Sequence, residues 1–416
     1  RILIKNATII DSKSPFNFSK KDILIIDGVI TSISDSIKDN NAKIISKKNL
    51  HISKGWFDSS VCFGEPGFEE RETINNGLKT AALSGFTSIC VNPNTNPVVD
   101  TIASVNHLKN ASNSSPTKIF PISTFTKNQD GTNLCELNEL HKNGAIAHFD
   151  YKSPIRNPNL LKIGLKYSKI FNGLIFSYPF DKSFNYSDEI NEGEQSANLG
   201  LQGIPKISET IQIKRDLEIL KYTKGKLLIP FISCKESVDL IRNAKKENLE
   251  IYCSTPIMHL IFTDSNINDF DNQFKFTPPL RTEDDRESLK QGLIEGTIDM
   301  IASMHEPINK EIKDLEFVNS MPGSISLESM FGILNTLFPL EKTIELLTRS
   351  AKCFNINFPS ITEGIKANIT LFSPENDSFF SDSAIISSSK NSSFLNQKIT
   401  GEVYGVINDN KFLIKN

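Results

Sequence analysis

The stretch "DSSVCFGEPGFEERETINNGLKTAALSG" (residues 58–85) joins the end of an apolar strand to a turn and then to a helical segment. Glu65, Pro66 and Gly67 set the turn, because proline and glycine favour its backbone angles. The helical segment closes on Gly85, a common residue after a helix. These features predict one β/α unit with polar residues at the carboxyl end of its strand, where parallel β/α folds place their sites.

The same alternation of apolar, β-rich runs and helical segments continues through the middle of the chain. Eight such units in about 310 residues favour a (β/α)₈ TIM-like barrel over 54–364. A doubly wound open sheet competes, but no Gly-rich dinucleotide loop follows an early strand. The eight β-rich runs lie near 55–63, 86–92, 117–122, 145–149, 173–178, 226–232, 249–253 and 298–304.

Both ends of the chain are rich in strand-like sequence. "RILIKNATII" and "KDILIIDGVITSIS" alternate apolar and polar residues, and "KANITLFSP" and "GEVYGVINDNKFLIKN" do so near the other end. We therefore predict a small β-sandwich domain built from residues 1–53 plus 365–416. The Ser-rich "SDSAIISSSKNSSF" (381–394) is expected to be a loop near the second half of that domain.

The composition of the chain limits the classes of partner and cellular location that can be expected. The net charge is −3, which gives no electrostatic reason to expect nucleic acid or an anionic membrane as partner. Apolar runs are short, so no transmembrane span is expected, and the first residues lack the apolar core of a signal peptide. Six scattered cysteines without a CxxC pair favour a reducing cytoplasm.

The chain resembles the dihydroorotases of the long bacterial type, within the cyclic amidohydrolases, nearly from end to end. The resemblance implies a (β/α)₈ barrel with a composite β-sandwich, and the reversible cyclisation of carbamoyl-aspartate to dihydroorotate with one or two zinc ions. The segments that carry it are "EPGFEERETINNGLKTAALSGFTSICVNPNTNPVVD" (65–100), "NEGEQSANLGLQGIP" (191–205), "FKFTPPLR" (274–281), "GTIDMIAS" (296–303) and "SKNSSF" (389–394).

Hydrolysis of a cyclic amide needs an activated water and a Lewis acid, and zinc supplies both. The family places a His-x-His at the end of the first barrel strand and, two residues later, an Arg that holds the substrate carboxylate. Those positions here carry Ser60, Cys62 and Gly64. A hydroxyl is a poor zinc ligand, a thiolate suits structural zinc as readily as hydrolytic zinc, and glycine removes the bidentate fork.

The remaining ligand positions have changed as well. In "HFDYKSP", Asp150 matches the first residue of the family's Asp-Asp-Gly, but a tyrosine replaces the second. Tyr178 in "SYPFD" and Phe231 in "PFIS" stand at the family's next two metal-binding histidines. Met304 in "SMHEPI" stands at the Asp that is both ligand and proton-transfer base, and a thioether cannot carry that proton. We predict that Tyr178, Phe231 and Met304 plug an abandoned cavity, the alternative being that they form the apolar floor of a new ligand pocket.

Part of the substrate clamp remains. Asn94 in "PNT" is a carboxylate-contacting position in the family, whereas Thr277 replaces the Asn of the family's "NPPLR". His305 matches a histidine that, in the family, either supports a metal ligand or contacts the substrate. Asn94, Thr277 and His305 are therefore the candidate ligand-binding residues.

The leading hypothesis is a homologue without dihydroorotase activity and without a cofactor. In this family, metal-less homologues can serve as structural partners of aspartate carbamoyltransferase, and a homodimer through barrel faces is also implied. The alternative is an active dihydroorotase or cyclic amidohydrolase with zinc in a rebuilt site of Cys62, Asp150, His148 and His305. A third hypothesis is a metal-free small-molecule sensor around Asn94.

Overall fold

A computed structural model describes residues 1–184 and 190–415. The strands are β1 (Ile2–Ile10), β2 (Lys20–Ile26), β3 (Val29–Ser34), β4 (Lys43–Ile45), β5 (His51–Lys54), β6 (Trp56–Val61), β7 (Phe86–Val91), β8 (Lys118–Ser123), β9 (Ala147–His148), β10 (Ile175–Phe176), β11 (Ile190–Asn191), β12 (Gly203–Ile204), β13 (Leu227–Ile229), β14 (Ile251–Pro256), β15 (Met300–Ala302), β16 (Asn368–Phe379), β17 (Lys398–Asn408) and β18 (Lys411–Ile414). The helices are α1 (Ile74–Leu83), α2 (Ile102–Ala111), α3 (Leu137–Lys142), α4 (Pro158–Ser168), α5 (Glu194–Leu199), α6 (Ile207–Thr223), α7 (Lys235–Lys246), α8 (Glu283–Glu295), α9 (Lys310–Lys313), α10 (Leu327–Leu337) and α11 (Leu340–Arg349).

Eight parallel strands form the predicted barrel. Their order is β6-β7-β8-β9-β10-β13-β14-β15, with every neighbouring pair parallel. The first and last strands meet where the backbone N–H of Cys62 donates to the carbonyl oxygen of His305 at 2.8 Å. The prediction of a (β/α)₈ barrel is confirmed.

The barrel strands have both faces covered, which explains their nearly continuous apolar sequences. All six residues of β6 and all six of β7 are buried. Phenylalanine rings fill much of the interior, as in the pairs Phe57–Phe120 and Phe149–Phe176, whose ring centroids lie 6.3 Å and 5.2 Å apart.

The strands at the two ends of the chain form one sheet beside the barrel. Its order is β18-β17-β16-β5-β1-β2-β3, and β4 pairs with β1. The antiparallel pairing of β5 with β16 joins the N-terminal strands to the C-terminal ones. In the part of the chain that the structure describes, no helix has both the length and the apolar character needed to cross a bilayer.

The Ser-rich segment 381–394 is a loop between β16 and β17, in the C-terminal half of the sheet as predicted, and it also packs on the barrel mouth. The backbone N–H of Ser388 donates to Glu72 Oε2 at 3.0 Å, and the backbone N–H of Ile308 donates to Asn391 Oδ1 at 3.0 Å. Glu72 is fully buried by these contacts. Among the charged residues 69–72 only Glu69 and Glu70 are exposed, and α1 begins after them, capped by Thr73.

Candidate functional site

The candidate site lies at the carboxyl end of β6, where Ser60 and Cys62 are joined by one amide. The Asn92 Nδ2 group donates to Ser60 Oγ at 2.8 Å and to Cys62 Sγ at 3.5 Å. All three side chains are buried. Asn92 follows β7, the next strand of the barrel. It therefore ties together the two side chains that stand at the family's His-x-His positions.

The Cys62 thiol is electrostatically unsuited to act as a nucleophile. Burial, reinforced by the negative charge of Glu306, raises its pKa to about 12. Only the thiolate binds metals or attacks electrophiles efficiently, so at neutral pH this sulfur is a protonated thiol. Free buried cysteines of this kind pack as small apolar side chains.

The backbone at Gly64 leaves no room for any side chain. A Cβ built on Gly64 would lie 1.8 Å from the carbonyl oxygen of Phe68. The turn closes because the Phe68 N–H donates to the Gly64 carbonyl at 2.8 Å and the Gly64 N–H donates to the Glu72 carbonyl at 3.0 Å. The arginine that the family carries at this position is therefore incompatible with the turn as it stands.

Tyr178, Phe231 and Met304 are each 1% exposed. The ring of Phe231 makes an edge contact with that of Tyr151, at 6.4 Å between centroids. Phe231 and Met304 both have left-handed backbone conformations, with φ of 58° and 50°. For bulky residues this conformation is an outlier that costs roughly 1–3 kcal/mol. Two of the replaced positions thus hold large apolar side chains on a strained backbone.

Asp150 holds the loop that follows β8. Its Oδ1 accepts from the backbone N–H groups of Phe125 and Thr126, both at 2.9 Å, and its Oδ2 accepts from Thr126 Oγ1 at 2.6 Å. Burial raises the pKa of Asp150 to about 6, although these hydrogen bonds favour the charged form. The Asp150 carboxylate therefore uses its oxygens to fix the conformation of this loop.

His148 lies away from Cys62 and Tyr151. Its Nδ1 pairs with Ser123 Oγ at 2.8 Å, and its ring meets Phe171, which follows α4, edge-on at 6.0 Å. Neighbouring residues of a strand point to opposite faces. Phe149 takes the face that contacts Tyr151 and the other interior rings, so His148 is left on the face toward the helices. Burial lowers the pKa of His148 to about 3, which keeps it neutral.

His305 anchors the start of α10. Its Nδ1 accepts from the backbone N–H of Ser326 at 3.1 Å and of Leu327 at 3.3 Å. A ring nitrogen that accepts carries no proton, so the proton is on Nε2. Burial lowers the pKa of His305, which matches the neutral tautomer.

The residues present do not fit a zinc ion. A catalytic zinc takes about three His, Cys, Asp or Glu ligands. Within residues 1–184 and 190–415, no three such side chains are placed to hold a metal ion together. Among the described residues the alternative set of Cys62, Asp150, His148 and His305 is therefore not assembled, and the carboxylate and both imidazoles have structural hydrogen bonds.

Three candidate ligand-binding residues present polar atoms with unused hydrogen-bonding capacity. The buried atoms Asn94 Oδ1, Thr277 Oγ1 and His305 Nε2 have no hydrogen-bond partner within the described residues. Buried polar atoms are usually paired. Each of the three residues thus keeps one buried polar atom that makes no hydrogen bond within the described part of the chain.

Sequence reasoning missed Asn92, Lys152 and Glu306. The Lys152 ammonium and the Glu306 carboxylate lie 2.6 Å apart and are largely buried. Two local signals pointed toward them, since Lys152 follows Asp150 by two positions and Glu306 follows His305 directly. The pairing itself joins loops 154 residues apart, so only the folded barrel reveals it.

Comparison with known proteins agrees with this fold. The L-hydantoinase (dihydropyrimidinase) from Arthrobacter aurescens superposes with a TM-score of 0.83 at 20% identity, covering 100% of this chain and 96% of that one. The dihydropyrimidinase from Brevibacillus agri NCHU1002 gives a TM-score of 0.81 at 18% identity, covering 100% and 95%. At these identities the likeness shows the fold alone.

Sequence relatives are closer. A dihydroorotase of Caldicellulosiruptor saccharolyticus is 37% identical over 424 residues, covering 100% of this chain and 98% of the relative. A dihydroorotase of Acetivibrio thermocellus is 35% identical over 411 residues, covering 97% and 96%. The family described as "Dihydro-orotase-like" matches residues 51–237. With relatives this similar along the whole chain, the protein belongs to the dihydroorotase family.

Proposed function

We propose that this chain is a dihydroorotase homologue of pyrimidine biosynthesis that lacks dihydroorotase activity and acts as a structural partner of aspartate carbamoyltransferase. The observation that carries the proposal is the arrangement at the barrel mouth. The family's positions for activating water and holding substrate carry side chains that have become packing and hydrogen-bonding elements of the fold.

The inactivity is argued from the groups that catalysis needs. A general base must lie within hydrogen-bond reach of the reacting water and must titrate near the working pH. Met304 has no proton to exchange, the Cys62 thiol has a pKa of about 12, and Asp150 is held by three hydrogen bonds. At Gly64, the turn excludes an arginine. These observations support a protein that binds no zinc and needs no cofactor.

The partner role is supported by what the chain has kept. The barrel is complete, and the turn after β6 still positions α1, because Glu65 Oε2 accepts from the Ile74 N–H at 2.8 Å. A fold maintained without its reactive groups fits selection for shape. The partner itself, like a homodimer in the cytoplasm, follows from the family resemblance.

The test uses the purified full-length chain. We expect substoichiometric zinc by elemental analysis and no interconversion of carbamoyl-aspartate and dihydroorotate, with or without added zinc. We also expect the aspartate carbamoyltransferase of the same organism to co-elute with the chain in size-exclusion chromatography.

Two results would contradict the proposal separately. Stoichiometric zinc with turnover that a chelator abolishes would favour the alternative, an active amidohydrolase with a rebuilt site. Elution of the two proteins as independent species at micromolar concentration would remove the partner role and leave the inactivity standing.

A further inference from the structure

An ion pair crosses the mouth of the barrel. Lys152 lies in the loop after β9, the fourth barrel strand, and Glu306 lies in the loop after β15, the eighth. The fourth and eighth strands of an eight-stranded barrel are on opposite sides. The Lys152 Nζ donates to Glu306 Oε2 at 2.6 Å, and the two side chains are 16% and 5% exposed.

Two further lysines lie near this pair. The buried Lys313 ammonium donates to the carbonyl oxygens of Met321 and Gly323, at 3.2 Å and 3.0 Å. Lys275, also buried, directs its ammonium to the carbonyl oxygens of the loop 317–318. Lys313 and Lys275 are therefore two further buried lysines near the ion pair.

Electrostatics show that these groups act on one another. The pKa of Lys313 is lowered to about 7, first by burial and then by the charges of Lys152 and Lys275. Glu306 opposes this shift, and so does Asp271, which is at the surface. Removing the Glu306 charge would leave the Lys152 ammonium without its buried counter-charge and would lower the pKa of Lys313 further.

The Glu306 carboxylate packs closely against the backbone of Gly323. A Cβ on Gly323 would lie 2.9 Å from Glu306 Oε2, so the carboxylate rests directly against the glycine backbone. Gly323 has a φ of 145°, which side-chain-bearing residues rarely adopt. The Lys152 ammonium thus faces the Glu306 carboxylate, and the Gly323 backbone lies beside it. The Lys313 ammonium donates to the carbonyl oxygen of the same glycine.

We infer that Lys152, Lys313 and the backbone of Gly323 form a binding site for a small carboxylate anion at the barrel mouth, and that Glu306 of the same chain fills it. The glutamate is an internal occupant, so the native protein presents the site closed. This inference rests on the geometry of the mouth, and it stands whether or not the chain has the partner proposed above.

The energetic reason is the asymmetry of buried ion pairs. Taking one partner from such a pair leaves an uncompensated buried charge, which is strongly unfavourable. In a Glu306→Ala variant the vacated space is of carboxylate size and faces the Lys152 ammonium. A free carboxylate that enters this space restores the pair, and by binding only the folded state it raises the melting temperature.

The experiment measures thermal unfolding of Glu306→Ala in sodium acetate and in sodium chloride at equal ionic strength. We expect the variant to melt below the wild type in chloride, and acetate to raise its Tm saturably by about 2 °C or more relative to chloride. The wild type should show no acetate-specific gain. An equal Tm of Glu306→Ala in the two salts at every concentration would overturn the inference.

Two controls make the outcome specific. The double variant Lys152→Met/Glu306→Ala lacks the facing ammonium and should lose the acetate response. Glu247→Ala removes the carboxylate of an exposed pair with Lys221, of 2.7 Å, and should show no acetate-specific gain. A gain in either control equal to that of Glu306→Ala would contradict the site.

A variant that does not fold in chloride remains informative. Refolding Glu306→Ala from urea in acetate and in chloride gives the same comparison. Recovery of folded protein in acetate alone supports the site, whereas equal failure in both salts contradicts it.

Discussion

Asn92 shows how a single side chain can provide hydrogen bonds to two buried polar groups at the candidate site. Its amide nitrogen serves both the hydroxyl of Ser60 and the thiol of Cys62, deep in the barrel and out of contact with water. A buried hydroxyl without a partner is costly, so the amide allows small polar groups to stand where the family has two imidazoles.

Replacing Asn92 with alanine should destabilise the protein by about 1–3 kcal/mol, because the Ser60 hydroxyl is left buried without this donor and a cavity is created. Urea unfolding followed by circular dichroism measures the change. The matched control is Asn113→Ala at an exposed asparagine, expected within about 0.5 kcal/mol of the wild type. A loss at Asn92 no larger than at Asn113 would show that the amide bridge contributes nothing.

The turn after β6 carries Gly64 at the position where the family resemblance places an arginine. Glu65 still binds the N-terminal end of α1, and Asp58 still accepts from the backbone N–H of Ser60 at 2.9 Å and of Ser303 at 3.1 Å. Between them the backbone has closed onto Gly64. The strand and the helix are preserved, while the space for a substrate-holding arginine is gone.

Gly64→Ala should therefore prevent folding or destabilise the protein by more than about 3 kcal/mol, because even a methyl group meets the Phe68 carbonyl oxygen at 1.8 Å. Soluble yield and urea unfolding measure the effect. Gly193→Ala is the control, since its Cβ meets no atom closer than 3.8 Å and its φ of 165° is extended backbone. If Gly64→Ala were as stable as Gly193→Ala, the turn after β6 could change its conformation to make room for a side chain.

At the scale of the whole molecule, the barrel and the terminal sheet share one apolar junction. Trp56 begins β6, and its ring stacks on Phe331 of α10 at 4.9 Å and contacts Phe372 of β16 at 5.7 Å. Phe331 and Phe372 also touch, at 5.2 Å. Because this junction is fully buried, exposing either part would remove apolar contacts from the other.

Trp56 is the single tryptophan of the chain, so its fluorescence reports this junction alone. We expect the fluorescence transition in urea to coincide with the far-ultraviolet circular dichroism transition, which reports the helices and strands throughout. A fluorescence change at clearly lower urea would mean that the junction opens before the barrel unfolds.

Much of the architecture could be predicted from local sequence. The eight barrel strands fall within or next to the eight apolar runs. Thr73 caps the start of α1, and Gly85 lies just after its end. Strand burial, helix caps and turn residues act over a few positions, so they are readable in sequence. The packing of the Ser-rich loop on the barrel was not predicted, because its partners, such as Glu72, lie more than 300 residues away.

The sequence by itself determined the barrel and the identity of the side chains at the positions that the family resemblance assigns to metal ligands, because each of these is a property of one residue or one short segment. Only the tertiary structure decided what those side chains do. Asn92 meets Cys62, Phe68 closes over Gly64, and Lys152 reaches Glu306 across the barrel mouth. Such contacts arise when closure of the barrel brings distant loops to one place, and no local pattern encodes that encounter.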